Sequence, residues 1–346
     1  MKKIGILLIL LLFPLNASAS VIVMDSDTSR VLYGVNHNEK KLIASTSKIM
    51  TAMVVINNAD LDEVITVGEN VLRSFGSGIY IEVGEEISIK DLLYGLILRS
   101  GNDAAIVLAE HVGGSEEGFA VMMNETALAI GMNDTTFINA SGLENDEGEG
   151  NISTAHDMAL LMSYAMQNET FKEITGTYHY MVSTNYKTYD WYNKNKLLTS
   201  YEYTTGGKTG YTQKADRTLV TSASKDGKNL VVVTLDEEDD FNIHESLYER
   251  LFEKYKLVEI IDAKTFLKDE EQYVNDSFSM LLSDDEIDKI SIEITYTNDA
   301  IDRLGFVSVL LDGNEYYREN IYVIESEEEL SFFEKVKRFF LGLFGA

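Results

Sequence analysis

The hydrophobic positions change their period twice along this chain, and each change marks a region. Residues 21–25 and 31–34 are short apolar runs separated by turn residues 26–29, the pattern of a β-hairpin. Residues 41–57 carry Ile49, Met50, Met53 and Val54 at helical spacing, which predicts a helix with Ser45 near its start. Strand-like pieces around Ile65 and over 79–83 come next. Helical segments are then predicted at 87–98, 103–112, 116–130 and 153–167, the last capped by Ser153 or Asp157. Ser100-Gly101-Asn102 is the break between the first two of these. Beyond Tyr180 the pattern turns strand-like. Residues 218–224 and 229–235 flank Asp226-Gly227 as a hairpin, and 242–255 reads as a helix again. This order predicts an α/β unit: a sheet with helices packed around it and a helical insert.

A second unit is expected from residue 257. Residues 289–296 alternate strictly through Ile290, Ile292, Ile294 and Tyr296, and 306–311 and 316–323 pair across Asp312-Gly313-Asn314, so 257–325 reads as a small β domain. Residues 326–346 are separate. Ser326 and Glu329 form a capping box, and Phe332, Phe333, Val336, Phe339, Phe340, Leu343 and Phe344 share one helical face flanked by Lys335, Lys337 and Arg338. Such a helix suits a membrane interface; docking on the β domain or a dimer contact are the alternatives.

At the N-terminus, Lys2 and Lys3, an apolar run over 4–15 and Ala17-Ser18-Ala19 have the layout of a secretory signal peptide cleaved after about residue 19. A retained anchor is the alternative, which the shortness of the run disfavours. The mature catalytic region would then be 20–256, exported. The chain has no cysteine, so it has no disulfide and no lipobox cysteine. A net charge of −28 over 346 residues argues against a nucleic-acid partner and otherwise reads as a soluble surface. The five histidines are scattered, with no zinc-ligand spacing, and no phosphate loop is present, so no cofactor or metal is expected. The acidic stretches 144–149, 237–240 and 284–286 read as solvated loops, with a loose calcium site as the alternative.

Three strings carry candidate chemistry: Ser45-Thr46-Ser47-Lys48, Ser100-Gly101-Asn102 and Lys208-Thr209-Gly210. A spacing of three on a helix puts Ser45 and Lys48 on one face. A serine becomes a nucleophile when a base takes its proton, and a lysine is such a base once burial or a second cation, here Lys208, lowers its proton affinity. Each string alone is commonplace, as a capped helix, a helix–helix turn and a glycine-rich strand start. Their order and spacing together form the three-part signature of serine enzymes that react with penicillin.

The chain resembles the D-alanyl-D-alanine carboxypeptidases, the low-molecular-mass penicillin-binding proteins. The likeness covers residues 21–256: Ala44 to Ala52 around the nucleophile, Asp91-Leu92-Leu93-Tyr94-Gly95 leading to Ser100-Gly101-Asn102-Asp103-Ala104-Ala105, Ser153 to Ala159, and Gly207 to Thr212. It implies a β-lactamase/transpeptidase-like antiparallel sheet flanked by helices. It also implies trimming of the terminal D-alanine from peptidoglycan stem peptides through an acyl-enzyme, with β-lactams as inhibitors and a place on the outer face of the cytoplasmic membrane. In that reading Ser45 is acylated and Lys48 is the base. Ser100 relays a proton, Asn102 holds the substrate amide, and Lys208 supplies charge. Thr209 binds the terminal carboxylate beside Gly210, and the N–H groups of Ser45 and Tyr211 form the oxyanion hole. Arg217 is a further candidate for the carboxylate. Asn151-Ile152 stands where the family often has His, and Tyr211 where it often has His. A β-lactamase, an endopeptidase of the same fold and a catalytically silent wall-binding protein are the alternatives.

Overall fold

The computed structural model describes residues 18–268, 271–297 and 303–323. Most of the expected signal peptide and the whole of the amphipathic tail lie outside the described residues. The chain divides into two units, one up to Lys254 and one from Tyr255.

The first unit is built on five antiparallel strands: β1 (Ser20–Asp25), β2 (Val31–Val35), β3 (Thr204–Thr212), β4 (Asp216–Lys225) and β5 (Lys228–Leu235). Their order is β2-β1-β5-β4-β3, so the two ends of the unit's sequence meet in the middle of the sheet. Central β5 is covered on both faces and is apolar without alternation. Val231, Val233 and Leu235 join the main core, while Leu230 and Val232 between them are equally buried. The β4–β5 turn places Asp226 at φ 53° and Gly227 at φ 75°, the left-handed pair of a two-residue hairpin that right-twisted strands favour.

Helix α1 (Lys48–Asn58) runs through the main core and is buried nearly all round. Around it pack α2 (Ile89–Leu98), α3 (Asn102–Gly113), α4 (Glu116–Ala129), α5 (Ala155–Ala165) and α6 (Glu169–Gly176). On the other face lies α7 (Asp240–Lys254). There buried His244 bridges Thr221 (2.7 Å) and Thr234 (3.0 Å), and Tyr248 bonds Thr221 at 2.8 Å.

Several expected elements shift. The helix expected over 41–57 begins only after a 3-10 turn, Ala44–Ser47, because Lys41–Leu42 pairs instead with Ile152–Ser153. The piece at 79–83 is a loop rather than a strand: the Asp103 carboxylate accepts the N–H groups of Ile79 (3.0 Å) and Tyr80 (2.6 Å), taking donors a ladder would need. The cap of α5 is Thr154, which accepts from the Asp157 N–H at 3.0 Å, rather than Ser153 or Asp157. Helix α6 had no counterpart in the sequence reading; Asn168 caps it.

The second unit contains β6 (Lys256–Ile261) paired with β7 (Phe278–Leu282), and a meander of β8 (Ile290–Tyr296), β9 (Gly305–Leu311) and β10 (Asn314–Val323). Its principal core is small: Ile261, Val274, Val307, Val309 and Ile321.

Candidate active site

The nucleophile turn is held from beneath. Thr46 and Ser47 donate to the carbonyls of Ile43 and Ala44 (2.5 and 2.8 Å), and Thr51 of α1 donates to the Ala140 carbonyl at 2.7 Å. These polar side chains are buried, whereas Ser45 just before them is half-exposed near the start of the turn. One helical turn on, Lys48 is completely buried. Its Nζ lies 3.1 Å from Ser45 Oγ, donates to Asn102 Oδ1 at 2.8 Å, and also donates to the Ser141 carbonyl. Burial, and secondly the charge of Lys194, lower its pKa to about 7; the Asp103 carboxylate pulls the other way.

Three acceptors around one nitrogen suit both states of a base. An ammonium donates to all three. A neutral amine donates to Asn102 and Ser141 and keeps its lone pair for the Ser45 hydroxyl. The same cage therefore serves before and after the proton moves, with no reorganisation.

Ser100 ends α2 in the left-handed region at φ 62°, a conformation unusual for a side-chain-bearing residue, and it lines the cleft. Asn102 opens α3. Besides Lys48 it engages the 75–80 loop: Nδ2 donates to the Phe75 carbonyl at 2.7 Å and its N–H to the Ser77 carbonyl at 2.8 Å. Each end of the Asn102 amide thus makes one bond inside the protein.

Strand β3 closes the other side. A Cβ added at Gly210 would sit 3.0 Å from the Ser45 nitrogen, 3.1 Å from that of Thr46 and 2.3 Å from Thr218 Oγ1, so this position admits only glycine if the strand is to reach the nucleophile. Lys208 is buried and donates to the Thr209 carbonyl at 2.8 Å. Burial, then Lys48, then Lys194 push its proton affinity well below the ordinary lysine range. Thr209, Gly210 and exposed Tyr211 line a cleft of about 300 Å³ with Ser45, Ser77 and Ser100.

The structure thus brings Ser45, Lys48, Ser100, Asn102 and the Lys208–Tyr211 segment together. It also adds residues that no motif marked. Lys194 and Lys196 stand on the cleft wall. Arg217 donates to both oxygens of Asp240 (2.7 and 2.9 Å) and lies over Phe241, while its Nε is buried without a partner. Ser141 acts through a carbonyl, which has no sequence signal. Asn151, where the family often has His, is a buried clamp: its Oδ1 accepts from the Ile138 N–H (2.7 Å), its Nδ2 donates to the Asn139 carbonyl (2.8 Å), and Asn139 in turn accepts from the Ser141 N–H at 3.1 Å. A larger cavity of about 510 Å³ lies at the opposite end of β3 and β4, walled by Ser163, Lys172, Thr205 and Ser222, and holds no nucleophile–base pair. Among the described residues no group of three or more His, Asp or Glu could hold a metal ion.

A serine in the turn that leads into a central helix and a lysine one turn on, closed over by an edge strand bearing Lys-Thr-Gly, define the class of active-site-serine, penicillin-interacting enzymes. The family profile described as D-alanyl-D-alanine carboxypeptidase matches residues 14–239, and the chain belongs to that family. It is 36% identical over 220 residues to the D-alanyl-D-alanine carboxypeptidase DacF of Bacillus subtilis, covering 62% of this chain and 56% of that protein, so the match spans little more than half the relative's length. With the D-alanyl-D-alanine carboxypeptidase DacC of Escherichia coli it shares 30% identity over 368 residues, 93% of this chain and 87% of the relative. The crystal structure of a D-alanyl-D-alanine carboxypeptidase from Mycobacterium tuberculosis superposes with a TM-score of 0.66 at 30% identity, covering 70% of this chain and 94% of that one.

Proposed function

We propose that the chain is a serine-type D-alanyl-D-alanine carboxypeptidase that removes the terminal D-alanine from peptidoglycan pentapeptide stems. The observation that carries this reading is the 3.1 Å approach of a buried amine, Lys48 Nζ, to a half-exposed serine hydroxyl. Neutral Lys48 takes the Ser45 proton as Oγ bonds to the carbonyl carbon of the penultimate D-alanine. The N–H groups of Ser45 and Tyr211 receive the oxyanion. As the C–N bond breaks, Ser100 passes a proton to the departing amine of the terminal D-alanine. Water then attacks the ester, Lys48 accepts its proton, and Oγ regains one. Thr209 and Arg217 line the cleft where the carboxylate of the leaving residue would lie, and Lys208 adds charge. Asn102 positions Lys48 through Oδ1 and holds the substrate amide through the second hydrogen of Nδ2.

β-Lactams would acylate Ser45 and stay. The only carboxylate side chain among the described residues lining the cleft is that of Asp240, and Arg217 already holds both its oxygens, so the cleft offers no obvious second base for rapid deacylation. This favours a peptidase over a β-lactamase. The test is release of D-alanine from diacetyl-Lys-D-Ala-D-Ala together with labelling by a fluorescent penicillin. Wild type should do both and Ser45→Ala neither. A wild type that does neither is a wall-binding protein instead, and adducts that clear in seconds point to a β-lactamase.

We also propose that the protein is exported and held at the outer face of the cytoplasmic membrane by the apolar face of residues 326–346. Truncation after Glu325 should release it from membranes; unchanged pelleting overturns the attachment.

A further inference from the structure

A third lysine shares the cleft and belongs to none of the three motifs. Lys194 lines it with Ser45, Ser77 and Ser100. Its Nζ donates to Ser77 Oγ at 3.2 Å. Its backbone N–H donates at 3.2 Å to the carbonyl of Leu98, at the end of the helix that Ser100 closes. One residue therefore fastens two walls of the cleft, the Ser100 turn and the 75–80 loop. That loop hangs in turn from Asn102, whose Oδ1 holds Lys48. Resting on the carboxypeptidase reading above, we propose that Lys194 is a positioning residue for the base: its ammonium, fixed by Ser77 in the cleft that Ser45 lines, is a positive neighbour of Lys48 and sets the lower pH limit for acylation of Ser45.

The electrostatics around Lys48 agree with this. After burial, Lys194 is the largest influence lowering the proton affinity of Lys48, and it acts on Lys208 as well. Asp103 at the start of α3 opposes it, but that carboxylate already accepts two loop N–H groups. Lys208, from β3, has its own proton affinity lowered by burial, then by Lys48, then by Lys194. Burial, and secondly the charge of Arg99, lower the proton affinity of Lys194 in turn. Across the cleft Arg217 is neutralised by Asp240, and Lys196 lies over the Phe241 ring. Of the cations in the cleft, Lys194 is the one whose bonded side-chain partner is an uncharged hydroxyl and whose charge bears on the base.

The experiment is the pH dependence of kcat/KM for D-alanine release, and of the penicillin acylation rate, for wild type, Lys194→Met and Lys194→Arg. Removing a neighbouring cation raises the proton affinity of the base, so the acid limb of Lys194→Met should move up by about one pH unit. Lys194→Arg keeps the charge and should restore the limb to the wild-type position. A limb that stays put while the high-pH plateau falls would mean that Lys194 only braces the loop or contacts substrate, and the proposal fails. It fails equally if Lys194→Arg shifts the limb as far as Lys194→Met. A wild type inactive at every pH in both assays overturns the carboxypeptidase reading itself, an outcome distinct from either variant result.

Discussion

Strand β5 of the first unit and strand β8 of the second invert the usual expectation from patterning. Strand β8 alternates strictly between apolar and polar side chains, yet Ile292, Ile294 and Tyr296 remain 42%, 39% and 54% exposed. Strand β5 does not alternate at all and is buried almost completely. The difference is position. Strand β5 is the middle of a five-stranded sheet covered on both faces, whereas β8 is the edge of a four-stranded sheet with a small core. Alternation reveals which side chains share a face; it does not reveal whether anything covers that face. The same contrast separates polar residues. In the first unit Lys48, Lys208, Glu85 and His244 are buried, and each has partners. A chemical site can exist there because the surrounding core is large enough to desolvate an amine.

The largest expected effect lies in that buried chemistry. Lys48→Met should lower D-alanine release by roughly 10³-fold or more while leaving the fold intact by circular dichroism, in line with losses seen when a general base is removed from a nucleophile. A loss under tenfold would break the assignment of the base. Next is the main core. Phe119→Ala should destabilise the first unit by about 3–5 kcal/mol in denaturant melts, since the ring is fully buried in the main core and its removal leaves a cavity.

His244 offers an intermediate case that also depends on pH. Burial holds its pKa at about 3 in the folded protein, against an ordinary value of 6.5. The unfolded chain therefore binds the proton that the folded one refuses, so this residue destabilises the fold progressively as pH falls from about 6.5 toward 3, by about 2 kcal/mol at pH 5. Replacing it with Gln should remove that portion of the acid sensitivity, measured as the pH dependence of the melting midpoint. If the slope is unchanged, His244 is not neutral in the core. The smallest effect is expected in the second unit: Ile294→Thr should change stability by no more than about 0.5 kcal/mol. A cost approaching that of Phe119→Ala would mean that β8 is covered in solution, and the contrast between the two units would collapse.

Much of the first unit was readable beforehand because its signals are local. Helical spacing located α2, α3 and α4 within a residue or two, and Asp226-Gly227 marked its hairpin because the left-handed geometry of that turn is a property of the two residues themselves. The beginning of α1 was misplaced because Lys41–Leu42 has a partner more than a hundred residues away, at Ile152–Ser153. The loop at 79–83 read as a strand for a related reason: the carboxylate that takes its N–H groups belongs to Asp103.

The amino-acid string by itself determined most of the helices and the main hairpin, the serine and lysine spaced three apart, and membership of the catalytic family, since these depend on residue identity and short spacing. Tertiary structure alone decided that the Ser141 carbonyl completes the cage around Lys48, that Asn102 faces inward to the base, and that Lys194 lines the same cleft as Ser45. A carbonyl looks alike at every position in a sequence, and the strength of a charge depends on its distance from others and on how much water lies between them. Both quantities come into existence only when distant segments are packed together.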